Sequence, residues 1–264
     1  MKKTMPGRYG LKKSILTLTA ALCFAGCKQA EMNKPEEDAK GRPPQALSNA
    51  ALLAGEGPFK VLSFNVRHDD AGDPQSLDQR KGNIRQIIVD NNPDVFGVQE
   101  FSDDFFETWF RAQMSALGYG EYYSTAITTT PKAIFYKTSR FTLERSGTVR
   151  LGASPIINTA TWVVLLDNTT SNKYFISNSH WQFDSQPTRI ANANALVDMV
   201  NQYNTDNLPV IVFGDFNAQP GTTEIGNLKS GLDVVDALGD STGDDTFHGW
   251  DATGNSKLDW IMSD

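Results

Sequence analysis

Apolar residues in this chain fall into short unbroken runs, and each run stops at polar side chains. Val210–Phe213 is continuous and rich in β-branched residues, so it reads as a strand buried on both faces. It stops at Gly214 and is followed by Asp215 and Asn217, two positions apart and so projecting to the same side of an extended chain. Phe59–Arg67 and Asp94–Glu100 repeat this form: an apolar run that closes on Asn65 and Arg67, and one that closes on Gln99 and Glu100. Between them, Ser76–Asn91 has a helical period with Ile84, Ile87 and Ile88 on one face. Asp103–Leu117 places Phe106, Trp109, Phe110 and Met114 likewise, and Gly118 stops it.

From Tyr119 the period changes to that of strands. Tyr119–Thr125, Ala133–Lys137, Leu143–Val149, Thr159–Asp167 and Lys173–Ser179 are separated by turn residues, with 168–172 as a hairpin loop. Pro187–Tyr203 is a helix presenting Ile190, Ala193, Leu196, Val197 and Val200 inward, and Lys257–Met262 is a last strand. Two strand–helix units, a meander, then helix and strand predict an α/β domain of two packed mixed β-sheets flanked by helices.

Length and composition support this reading. With 264 residues and 39% hydrophobic content, one large domain with appendages fits better than two domains. The net charge is -7, and residues 1–26 contribute five bases and no acid, leaving 19 bases against 31 acids in the remainder. An acidic body argues against tight, sequence-independent binding of duplex nucleic acid, yet allows a smaller phosphoester held through a metal. Residues 1–26 form an export signal: basic up to Lys13, then apolar from Ile15 to Ala25 and too short to span a bilayer. The ending Phe24-Ala25-Gly26-Cys27 is similar to a bacterial lipobox, with Phe24 where Leu is usual, which predicts a lipid anchor on Cys27 and a cell-envelope location. Residues 27–57 are charged and rich in Pro and Gly, a flexible tether spanning roughly 30 Å, and the folded domain covers 58–264.

The polar strand ends carry the candidate chemistry. Gly214-Asp215-Phe216-Asn217 alone reads equally as the start of a turn or as a carboxylate and amide holding a cation, a phosphate oxygen or a water. Asn65, Glu100, the run Asn178-Ser179-His180-Trp181, and Asp259 between apolar neighbours add four more such positions. Each has a plain structural explanation, but five coincidences in one domain favour a single site.

These segments, in this order, resemble the endonuclease/exonuclease/phosphatase superfamily, whose fold is that of deoxyribonuclease I. The resemblance covers about residues 59–264 and rests on Leu62–Arg67, Pro93–Glu100, the His180-Trp181 segment with Ser185, Gln186 and Arg189, Gly214–Ala218, Thr246-Phe247-His248 and Leu258–Ile261. It implies a four-layer α/β sandwich and hydrolysis of phosphoester bonds with Mg²⁺ or Mn²⁺. By resemblance, Glu100 and Asn65 hold the metal, and Asp215 and Asn217 help hold it and orient the attacking water. His180 donates to a phosphate oxygen and Asp259 orients a histidine base. Arg67, Arg189 and His248 are candidate substrate contacts.

The family's Ser-Asp-His motif, which carries that base, has no counterpart before Asp264. Residue by residue, the resemblance therefore predicts a C-terminally incomplete domain whose final strand lacks a neighbour and which catalyses poorly, since a general base is worth about 10²–10⁴-fold. The expected substrate is a nucleic acid, a sugar or inositol phosphate, or a phospholipid headgroup, handled by a monomer. A non-catalytic binding module anchored at the surface is the competing reading, and assembly with a membrane complex a third.

Overall fold

A computed structural model describes residues 19–22, 59–101, 104–128, 130–152, 158–239, 245–247, 250 and 256–264. The tether 27–57, Cys27 and His248 lie outside these residues. In chain order the elements are β1 (Thr19–Leu22), β2 (Lys60–Asn65), α1 (Leu77–Asn91), β3 (Val95–Gln99), α2 (Asp104–Ala116), β4 (Tyr119–Tyr122), β5 (Ala133–Lys137), β6 (Phe141–Arg150), β7 (Thr159–Asp167), β8 (Lys173–His180), α3 (Gln186–Tyr203), β9 (Val210–Asp215), α4 (Thr223–Leu232), β10 (Val235–Asp236) and β11 (Asp259–Ser263).

The strands form two mixed sheets, ordered β1-β2-β3-β5-β4 and β10-β11-β9-β8-β7-β6. Each sheet has one parallel pair bridged by a helix: β2 and β3 through α1, β8 and β9 through α3. A parallel pair requires such a crossover. β1 comes from the apolar run of the expected export signal and lies parallel to β2 at the edge of the first sheet.

Three apolar layers give the expected four-layer sandwich. Leu62, Phe64 and Phe96 pack on Ile84, Ile88, Phe106, Phe110 and Met114, joining the first sheet to α1 and α2. Val61, Val95, Ile134, Ile176, Ile211, Phe213 and Ile261 fill the space between the sheets. Phe175, Val212 and Trp260 meet Ala193, Leu196, Ile225 and Leu228 beneath α3 and α4. Alternate residues of one strand thus feed two different cores, which is why its apolar run is unbroken. The sheets approach closely at Gly97, where a Cβ would lie 2.2 Å from the Phe213 ring.

Helix starts follow side-chain capping. Ser76 caps α1 with a reciprocal Gln79 contact, and Ser185 caps α3, each one residue before the helix. Asn92 ends α1 in a left-handed conformation.

One element is added and one expectation corrected. Residues 223–232, to which the sequence pattern assigns no element, form α4, which packs beside α3 with Gly231 against Val197. The final strand does not lack a neighbour: β11 lies antiparallel between β9 and the two-residue β10. Val235 and Asp236 are too short a pair to stand out as a strand in the sequence.

Candidate active site

The second sheet sets His180, Asp215 and Asp259 in one row. His180 is opposite Asp215 in the parallel β8–β9 pair, and Asp215 is opposite Asp259 in the antiparallel β9–β11 pair. Each lies two residues from a side chain that points between the sheets (Asn178, Phe213 and Ile261), so all three project into the mouth of the inter-sheet crevice. Gly214 permits the register. Its φ is +148°, and a Cβ there would lie 1.9 Å from the Ser179 carbonyl oxygen.

The first sheet supplies the opposite wall. Asn65 and Gln99 are register partners at the ends of β2 and β3. The Asn65 amide nitrogen donates to Glu100 Oε1 at 3.0 Å and to Asp215 Oδ2 at 2.9 Å, so one side chain ties the two carboxylates across the crevice. Its Oδ1 accepts from the Arg67 backbone N–H at 2.8 Å. Below it, Gln99 Nε2 donates to Asn178 Oδ1 at 2.7 Å, and Asn178 Nδ2 donates to the Val98 and Ala133 carbonyls, a buried amide bridge that pins the sheets together. Arg67, Glu100 and Asn217 all have left-handed backbone, with φ of 55°, 56° and 49°. Such conformations carry strain in non-glycine residues and turn each strand end sharply into the mouth.

The electrostatics follow from burial and partners. Burial pushes the Glu100 carboxyl upward, but the charge of His180 and hydrogen bonds from Asn65 and from the backbone and ring of His68 outweigh it and hold the group at about 2. Glu100 is therefore an anion throughout the neutral range. His180 is buried, which pushes its imidazole below its ordinary value against the pull of Asp215, 3.7 Å from Nε2. Burial and the charges of Asp215 and Glu100 push Asp259 well above the carboxylate range, opposed by Thr246. Thr246 Oγ1 also accepts from the Leu258 and Asp259 backbone N–H groups.

Asn65, Glu100, His180, Asp215 and Asp259 thus stand together. Asn217 borders them: its side-chain amide donates to the Trp181 carbonyl at 2.9 Å and its backbone N–H to Asp215 Oδ1 at 3.0 Å. Arg67 faces inward, but its guanidinium forks onto Asp73 at 3.0 and 3.1 Å and reaches Glu100 only at 3.7 Å. Arg189 is engaged structurally: it donates to Glu224 at 2.9 Å and to the Gln182 and Phe183 carbonyls, tying α3 to α4 and to the turn after Trp181. Asp259 does not pair with Lys257, whose ammonium is buried against Asp236.

The sequence reading passed over three contributors. His68 bonds Glu100 through both backbone and ring. Arg80 is buried and donates to the carbonyls of Val66, Arg67 and His68, fixing the turn after β2. Lys132 is fully buried at the head of β5. A charged residue next to the apolar run Ala133–Tyr136 was the available signal for the last of these.

Oxygen ligands dominate this mouth, and an ionised glutamate joined through an amide to an aspartate suits a hard divalent cation. Among the described residues no group of three or more His, Cys, Asp or Glu side chains is placed to hold a metal ion. The protein therefore offers two carboxylates, tied together by the Asn65 NH₂ while the Asn65 Oδ1 faces the Arg67 N–H, and Mg²⁺ commonly keeps several waters beside so few protein ligands. No helix among the described residues is long and apolar enough to cross a membrane.

A four-layer sandwich with acidic and amide side chains gathered at one end of its two sheets defines an α/β fold built around a polar crevice. The chain belongs to the Endonuclease/Exonuclease/phosphatase family, whose sequence model matches residues 62–264. A search of curated proteins finds no match. Among solved structures, the mannosyl-6-phosphatase of Bacteroides thetaiotaomicron VPI-5482 aligns with TM-score 0.65 and 21% identity, over 77% of this chain and 84% of that one. The human Nocturnin catalytic domain with bound sulfate aligns with TM-score 0.61 and 22% identity, over 77% and 81%. ANGEL2, a 2′,3′-cyclic phosphatase, aligns with TM-score 0.58 and 20% identity, over 65% and 56%. At these identities the likeness is one of fold.

Proposed function

We propose that the chain is a hydrolase of phosphoester bonds dependent on Mg²⁺ or Mn²⁺. The observation that supports it best is the Asn65 amide joining Glu100 to Asp215 across the crevice. Two carboxylates from different sheets are held together where repulsion would otherwise separate them, an arrangement suited to a cation. Glu100 and Asp215 would hold it, kept side by side by the Asn65 amide, and when bound it would supply charge stabilisation at the phosphoryl oxygens. His180, beside Asp215, donates a hydrogen bond to a non-bridging oxygen as negative charge develops. Asp215 accepts from a water placed for attack, and Asn217, fixed by the Trp181 carbonyl, keeps the turn around that water rigid. Asp259, the register partner of Asp215, borders it at the same mouth. Family membership and likeness in fold to two phosphatases and to Nocturnin support this class of reaction.

Hydrolysis of bis-p-nitrophenyl phosphate tests the reading. Turnover is expected to vanish with excess EDTA and to return with Mg²⁺ or Mn²⁺. Turnover that ignores chelation would refute metal dependence, and no turnover with either metal would favour a binding module.

The site acts at the cell envelope in this proposal, through a lipid on Cys27. The Cys27→Ser variant is expected to move from the membrane pellet to the soluble fraction, and unchanged partitioning would end the anchoring proposal.

A further inference from the structure

Lys132 is a buried basic side chain that the proposed chemistry leaves unused and, unlike Arg80 and Lys257, it is held only by a residue two positions away. It immediately precedes β5, where Ala133 is the register partner of Val98, so Lys132 stands beside Gln99 at the level of the Asn65–Gln99 pair. Ile134 and Tyr136, two and four residues on, point between the sheets, and an extended chain sends Lys132 the same way. The side chain therefore enters the crevice that holds Glu100, His180, Asp215 and Asp259. Its charge is felt by His180, as that of Glu100 is felt by Lys132.

Its partners are unusual for a buried lysine. Nζ donates to the Thr130 carbonyl at 2.6 Å and to Thr130 Oγ1 at 3.0 Å. No carboxylate lies within salt-bridge distance among the described residues, and one of its three N–H donors has no hydrogen-bond partner there. Burying an ammonium against one threonine is costly, because desolvation is not offset by an opposite charge. Burial accordingly pushes the amine down to about 7, against the pull of Glu100. A structural role in the core would be better served by methionine, which has a similar length and no charge to desolvate.

We infer that Lys132 is a substrate-binding residue whose amine contacts an oxygen of the phosphoryl group undergoing hydrolysis, favouring a doubly charged phosphomonoester over a singly charged diester. This rests on the phosphoesterase reading and narrows its substrate class. The crevice otherwise carries the Glu100 and Asp215 carboxylates, so a cation near the reacting group offsets their repulsion of an anion. A protonated amine attracts a dianion more strongly than a monoanion at the same distance, and the dianion in turn favours protonation of the amine. The Thr130 contacts are local, two residues away, and a change of Thr130 rotamer exchanges its hydroxyl for a substrate oxygen on Nζ. The Lys132–Thr130 bonds thus keep the amine in place while the site is empty of substrate.

The test compares binding of inorganic phosphate with that of dimethyl phosphate by titration calorimetry, at pH 7 with Mg²⁺, on the full chain. The wild type is expected to bind inorganic phosphate more tightly than dimethyl phosphate. Lys132→Met is expected to weaken phosphate about 10- to 100-fold, the usual consequence of losing a charge-assisted hydrogen bond, and to change dimethyl phosphate by less than about threefold. Its melting temperature should be unchanged or higher, because a buried charge has been removed. Lys132→Gln retains a donor for Thr130 without the charge and should lose phosphate binding to the same degree, covering the case in which the methionine variant folds poorly. Equal weakening of both ligands, retention of phosphate binding in either variant, or no binding of phosphate by the wild type would overturn the inference. EDTA-sensitive turnover of the diester in that event would leave the phosphoesterase reading standing.

Discussion

Asp215→Ala is expected to lower metal-dependent turnover of bis-p-nitrophenyl phosphate on the order of 10³-fold relative to the unsubstituted chain. Asp215 lies at the centre of the site in three respects. Its Oδ2 accepts the Asn65 amide and faces His180, its Oδ1 holds the Asn217 backbone, and its strand separates β8 from β11. Removing the carboxylate deprives the proposed cation of a ligand and frees Asn65 from one wall of the crevice. Asp215→Asn separates shape from charge, since the amide keeps the volume and one acceptor. If charge dominates, both variants fall together in kcat/KM; if packing dominates, asparagine retains most of the activity. A loss under tenfold in the alanine variant, with an unaltered melting temperature, would remove Asp215 from the chemistry.

Glu100→Gln carries the second large effect, in turnover and in acid stability. Loss of the proposed anionic oxygen ligand is expected to reduce turnover about 10²- to 10³-fold and to shift the proposed Mg²⁺ or Mn²⁺ dependence to higher concentration. The acid effect has a definite sign. The folded carboxyl sits at about 2 against an ordinary 4.5, so its contribution is complete above pH 4.5 and lost as pH falls towards 2. A shift of this size corresponds to about 3 kcal/mol at most. Urea unfolding followed from pH 6 down to pH 2.5 should show a shallower decline for the glutamine variant than for the wild type. Parallel curves would mean that Glu100 gains nothing from His68, Asn65 and His180 in the folded state.

Much of this architecture was legible because each strand packs on both faces. Continuous apolar runs such as Val210–Phe213 and Trp162–Leu166 read as interior strands, and their polar endings marked where the interior stops. Asn65, Glu100, His180, Asp215 and Asp259 were each recognisable as endings or interruptions of this kind. What escaped the sequence lacked that contrast. α4 is only ten residues long, with Gly226 and Gly231 inside it, and it is stabilised from outside by the Arg189–Glu224 pair. Arg67 and Arg189 carry the charge that a phosphate needs, yet which arginine meets a carboxylate first depends on loops with no periodic signal. His68 and Arg80 enter through the turn after β2, whose shape is set by carbonyls that Arg80 gathers from a distance.

Setting His180, Asp215 and Asp259 on three neighbouring strands has a consequence for how such a protein can diversify. Adjacent strands in any sheet sit about 4.8 Å apart, so the separation of these groups is dictated by the backbone ladder itself. Lengthening or replacing the surrounding loops changes which molecules can enter, yet leaves the reactive spacing where the hydrogen-bonded strands put it. Reaction type and clientele are thereby inherited through separate parts of the chain, the first conservative by construction and the second free to drift.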